Sequence, residues 1–170
     1  MNMEKKFELT DNFIINAFGV KLFQIKCTKS FKYAKEGDLG GYVEKDENLD
    51  QESNAWVSGD ARVYGDARVS GDARVSGNAE VYGNAEVSGN AEIDNNNKHC
   101  GFDCFGSANR HTHAYLTKEN KVEITCGCFR GSIEEFEKRV EETHSGTIYE
   151  KQYKAIIDVI KIKFGLTDLI

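Results

Sequence analysis

From Val57 to Ile93 the chain repeats every six residues. Aliphatic side chains stand at Val57, Val63, Val69, Val75, Val81, Val87 and Ile93, and an alanine stands two positions before each. Residues two apart in an extended chain share a face, so each Ala-x-Val triplet buries its outer members and turns the middle one outward. The remaining letters, Ser/Tyr-Gly-Asp/Asn, are turn formers, with Gly supplying positive φ. Each hexad therefore predicts a very short strand and a corner. Three of each make an 18-residue turn, and this period predicts a parallel β-helix. Before the strict array, Val43 and Leu49 fall on the alanine phase, and Asn48 and Asn54 on the turn phase. The repeat is expected to start near Gly40-Gly41 and end near Asn95-Asn96-Asn97, giving about three coils, the minimum for such an array. Both open ends then need caps.

Other patterns occupy the flanks. Alternation in "KFELTDNFIINAFGVKLFQIKCTKSF" predicts a β-hairpin burying Phe7, Leu9, Val20, Leu22, Phe23 and Ile25. Toward the C-terminus, "SANRHTHAYLT" and "KVEITCGCF" suit two strands joined by a turn at Asn120-Lys121. Ser132 with Glu135 forms a capping box opening a helix with the stripe Ile133, Phe136, Val140. Thr147 with Glu150 predicts a second, burying Tyr149, Tyr153, Ile156, Ile157, Ile160 and Phe164 and stopping at Gly165. The expected chain is mainly β: an N-terminal β cap over 1–38, the repeat over 39–98, and an α+β unit of a hairpin and two helices over 99–170.

The outward residues carry a second period. Arg62, Arg68 and Arg74 lie 18 positions before Glu80, Glu86 and Glu92. Stacked strands are ~4.8 Å apart, so each Arg is expected to meet a Glu. The three arginines of one turn face three directions and make no basic patch. Tyr64 and Tyr82 also stack at a spacing of 18, and Trp56 shares the column of Arg74, where a cation–π contact is geometrically possible. Aromatics on a polar wall suit an oligomer interface, so Trp56, Tyr64 and Tyr82 are its candidates. Trp56 suits packing beneath a cap equally well.

Charge narrows the function. The 170 residues hold 22 Lys and Arg against 28 Asp and Glu, a net charge of −6. That balance argues against an extended nucleic-acid partner, whose affinity comes from excess cations, but not against a small phosphate-bearing ligand. No apolar run is long enough for a membrane span, and Met1 to Lys6 lead into no signal-peptide core, so a cytoplasmic protein with reduced cysteines is expected.

The "GDLGGYVE" segment with the hexad array resembles the small hexapeptide-repeat proteins of bacteriophages and prophages. The tail "CGCFRGSIEEFEKRVEETH" resembles the same group, whereas "DNNNKHCGFDC" maps onto no part of it. The resemblance implies a left-handed β-helix, association as a homotrimer through the repeat walls, and a phage setting in the host cytoplasm.

Three constellations carry possible chemistry. Cys100, Cys104, Cys126 and Cys128 with His99, His111 and His113 are zinc-ligand types, but their spacing departs from paired C-x2-C knuckles, and no metal or cofactor is expected. Hexapeptide proteins include acyltransferases with a catalytic His, yet the repeat here holds no His, so that enzyme stands as a distant alternative. The third is a ligand site in the tail: Ser107, Asn109, Arg110, His111, His113, Tyr115, Phe129 and Arg130. Arg, His, Asn and Ser near glycine turns hold phosphate, and Phe or Tyr stacks a base. The expectation is a non-enzymatic oligomeric binding protein that sequesters a host nucleotide-derived immune signal at subunit junctions. A structural scaffold docking a protein partner is the alternative.

Overall fold

The structure is a computed structural model and describes residues 5–167. The chain divides into two compact units between Asn96 and Asn97.

The first unit opens with a hairpin of β1 (Phe7–Ile15) and β2 (Lys21–Cys27), followed by β3 (Leu39–Val43). Seven two-residue strands follow: β4 (Trp56–Val57), β5 (Arg62–Val63), β6 (Arg68–Val69), β7 (Arg74–Val75), β8 (Glu80–Val81), β9 (Glu86–Val87) and β10 (Glu92–Ile93). Pairing is parallel and in register at 18 residues, with Arg62 opposite Glu80, Arg68 opposite Glu86 and Glu92 opposite Arg74. Every Ala and Val of the array is buried.

This overturns the expectation of a continuous left-handed β-helix of about three coils with a separate cap. The unit is mainly β but built of several small sheets. Parallel ladders stand as β4–β7–β10 and β6–β9, while β5 and β8 continue β1, β2 and β3 in a mixed five-stranded sheet. Two physical causes operate. A positive-φ glycine turns the chain after each of the two-residue strands β4 to β9, as at Gly65 and Gly71. The N-terminal hairpin pairs antiparallel with β3, making it part of the wall.

The layer before the strict array also departs from the expected phase. Val43 lies opposite Val63 and Leu49 opposite Val69, so both join the aliphatic columns, not the alanine columns. Two extra residues are absorbed between Leu49 and Trp56. Lys6 holds this irregular loop: its buried Nζ donates to the carbonyls of Asp50 (2.6 Å), Ser53 (2.8 Å) and Ala55 (2.8 Å). Burial pushes the Lys6 ammonium down to about 8. Asn48 is likewise buried, donating to the carbonyls of Gly65 and Ala67. Gly40 and Gly41 run hard against the array; a Cβ on Gly41 would lie 2.6 Å from the Ala61 carbonyl oxygen.

On the outside, Arg62 meets Glu80 at 2.9 Å and Arg74 meets Glu92 at 3.3 Å. Arg68 sits in register with Glu86. The Arg74 guanidinium lies 5.3 Å from the Tyr33 ring, which takes the place expected of Trp56. Trp56 is 5% exposed and packs edge-on against Phe31. Tyr64 and Tyr82 stack at 5.3 Å; Tyr64 is buried, and Tyr82 is 55% exposed. Of the three candidate interface aromatics, Tyr82 alone offers substantial free surface.

The second unit is larger than a hairpin with two helices. Its antiparallel sheet has the order β11 (His99–Phe105), β12 (Arg110–Leu116), β13 (Val122–Cys126), β14 (Phe129–Ser132). The first strand comes from the run that matched no pattern. The last arises because Gly127 (φ 58°) turns the chain, so "KVEITCGCF" is a strand and a corner. Helix α1 (Ile133–His144) starts at the Ser132–Glu135 capping box. Helix α2 (Ile148–Lys163) is capped by the Thr147 side chain, but Glu150 accepts from the Gly146 amide, so its box is incomplete. Both helices pack on one sheet face around Ala114, Ile124, Phe136, Ile157 and Ile160. Among the described residues no helix is long and apolar enough to cross a membrane.

Candidate functional site

Strand alternation divides the predicted ligand residues between two faces of the second unit's sheet. Arg110, Thr112 and Ala114 share the face that bears the helices, while His111, His113 and Tyr115 point to the other. On β14, Phe129 lies opposite Cys126 on the helix face, and Arg130 lies opposite Thr125 on the far one. The eight residues therefore do not converge.

The far face is a row of polar contacts. His111 Nδ1 lies 2.6 Å from the Asp103 carboxylate, and His113 Nε2 lies 3.0 Å from His99 Nδ1. The Tyr115 hydroxyl donates to Glu123 at 2.8 Å, and Arg130 Nε bonds the same carboxylate. That partner raises the Arg130 pKa and holds its charge in place. His113 and Tyr115 are fully buried, and the His111 Nε2 atom is buried without a partner among the described residues. Among those residues, no three His, Cys, Asp or Glu side chains group as metal ligands.

The helix face holds a cavity of about 250 Å³. Ser107, Arg110 and Phe129 line it, as the sequence suggested; Asn109 forms the neighbouring turn (φ 49°) and stays outside the lining. Helix α1 adds Phe136, Arg139 and His144, and α2 adds Tyr153; the sequence placed Phe136 and Tyr153 on buried helix faces but none of the four in the ligand site. A signal was present: Arg139 borders the Phe136–Val140 stripe, on the edge of the buried helical face.

Aromatic rings build one wall. Phe129 meets Phe136 at 5.1 Å, Phe136 meets Tyr153 edge-on at 5.6 Å, and His144 stacks on Tyr153 at 5.5 Å. Gly106 makes room for Tyr153, because a Cβ there would lie 2.0 Å from the phenol oxygen. That oxygen is 3.8 Å from Cys126 Sγ, which accepts from the Thr112 hydroxyl at 3.3 Å. Burial, reinforced by the Cys126 thiol, pushes the Tyr153 pKa up to about 12, against a smaller downward pull from Arg110. The phenol is thus neutral at physiological pH.

Charge at this cavity is one-sided. No carboxylate lines it, and neither the Arg110 nor the Arg139 guanidinium has an ion-pair partner among the described residues. Arg110 lies across Gly127, which has no side chain to displace it. A larger groove of about 670 Å³ in the first unit has the opposite character: Asp46, Glu47, Asp50, Glu52 and Glu86 line it with Arg68. Among charged groups the groove is thus lined mainly by acidic ones, and the smaller cavity by basic ones.

Comparison with known proteins finds no protein-family model that matches this chain and no curated protein with significant similarity to it.

Proposed function

We propose that this protein is a non-enzymatic binding protein that holds a small nucleotide-type ligand in the cavity of its C-terminal unit. The observation that carries the reading is the pair of guanidiniums, Arg110 and Arg139, which have no ion-pair partner among the described residues, on a cavity with an aromatic wall and no carboxylate among its described lining. A guanidinium offers a planar fork of donors to phosphate, and an aromatic face accepts a base or similar ring. The neutral Tyr153 phenol adds a donor suited to holding an anion. Resemblance to phage-type repeat proteins extends the reading: the bound compound is a nucleotide-derived signal of the host, sequestered in its cytoplasm.

Purified protein is expected to melt at higher temperature with nucleotide-type compounds and to release the intact compound on denaturation. Turnover of that compound would refute the non-enzymatic part, and the absence of both binding signals would refute the whole.

A scaffold role has one observation in its favour. Phe13, Ile15 and Phe18 stand exposed on the N-terminal hairpin, an apolar surface of the kind protein partners cover. If that role is the relevant one, Phe18→Ser abolishes a partner's binding and leaves ligand binding intact.

A further inference from the structure

We infer that the compound held in the C-terminal cavity is a phosphomonoester bearing a single aromatic ring; this rests on the cavity being the ligand site. Two features select the class. The first is charge. Arg110 and Arg139 present two positive charges with no carboxylate among the described residues to neutralise them. A phosphomonoester carries about −1.5 to −2 at neutral pH on three terminal oxygens, which two guanidiniums can engage together. A phosphodiester carries one charge per phosphate and two free oxygens, so it leaves one guanidinium poorly matched.

The second is size. The cavity of about 250 Å³ is small; sites for drug-sized ligands span ~300–1,000 Å³. One ring and one phosphate suit that space, whereas two nucleobases exceed it. The ring belongs beside half-buried Phe129, which Phe136 supports from behind at 5.1 Å. The phosphate belongs between Ser107 in the β11–β12 turn, Arg110 at the start of β12, and Arg139 on α1. No further nucleobase site is needed.

Calorimetric titration with phenyl phosphate, cytidine 5′-monophosphate, cytidine, inorganic phosphate and a cyclic dinucleotide tests the class. The two monoesters are expected to bind at least tenfold more tightly than the other three. Arg110→Gln and Arg139→Gln should each weaken monoester binding at least tenfold, with the circular-dichroism melt unchanged, since neither side chain has an ion pair among the described residues. A cyclic dinucleotide that binds as tightly as the monoesters, or monoester affinity unaltered in both variants, overturns the class. Ser107→Trp, which fills the cavity, separates that failure from the broader one. If it abolishes binding of whichever compound binds, the cavity reading stands and only the ligand class is lost. If binding survives it, or no compound binds wild type, both readings fall.

Discussion

The two units handle polar groups in opposite ways. In the repeat unit the outward position that holds Arg in one turn holds Glu 18 residues later, so stacking brings complements together: Arg62 takes Glu80, Arg74 takes Glu92, and Asn54 donates to Asp72. In the C-terminal unit no layer repeats. Its far sheet face still closes into Tyr115–Glu123–Arg130 and Asp103–His111, while the helix face leaves Arg110 and Arg139 open around an aromatic hollow. The 18-residue switch from Arg to Glu pairs charge along the columns of the wall, whereas the irregular C-terminal unit leaves two arginines without an ion-pair partner among the described residues beside a cavity.

The largest test of this contrast lies where the repeat unit breaks its own rule. Lys6→Met strips a donor from three carbonyls, and buried polar groups left unsatisfied cost ~1–3 kcal/mol each, so a loss of about 3 kcal/mol in unfolding free energy is expected. A pH signature accompanies it. The folded pKa of about 8 lies below the ordinary 10.5, so between these values the unfolded chain binds more protons. Wild-type stability should therefore gain from this group as pH rises from about 8 toward 10.5, and the variant should lack that increment in denaturant titrations across the window. Equal midpoints at pH 7 would show that the loop does not depend on Lys6.

Next come two glycines that make room for different things. A methyl at Gly41 meets the Ala61 carbonyl, whose position the neighbouring ladder fixes, and overpacking of this kind costs ~1–3 kcal/mol. A methyl at Gly106 meets the end of a tyrosine side chain but sits at φ 74°, where a side chain costs ~1–2 kcal/mol. Denaturation midpoints should fall in both. Only Gly106→Ala, which displaces Tyr153, should also weaken ligand binding. A reversal of that pattern would place the functional surface in the repeat.

The smallest effect concerns the charge ladder. A double-mutant cycle on Arg62 and Glu80 should return ~0–1 kcal/mol of coupling, shrinking as salt is raised, because both groups are partly exposed. Coupling well above that would mean the ladder stabilises the unit and does more than hold its register.

Much of the local structure was legible in the residues. Seven two-residue strands, their pairing at 18, the stripes of both helices and the Ser132–Glu135 cap all follow from spacing. The mixed sheet was not legible, because nothing in the hexads says that the N-terminal hairpin pairs with β3. Nor was the phase of Val43 and Leu49, which depends on a loop held by Lys6, 44 residues away from Asp50. Strand β11 hid in "DNNNKHCGFDC", where bulging between Phe102 and Phe105 breaks the alternation.

The candidate site divides along the same line. Composition alone selected Arg110 and Phe129 as phosphate and ring contacts, and it selected His111, His113 and Arg130 on the same grounds. Chemical type is a property of one residue, and the sequence states it. Convergence is a property of several segments, and the tertiary structure decides it. Strand alternation sends neighbouring residues to opposite faces, and packing of α1 and α2 on one face brings Arg139, His144 and Tyr153 to Arg110. Which arginine is held by a carboxylate and which stays open is settled by contacts between residues distant in the chain.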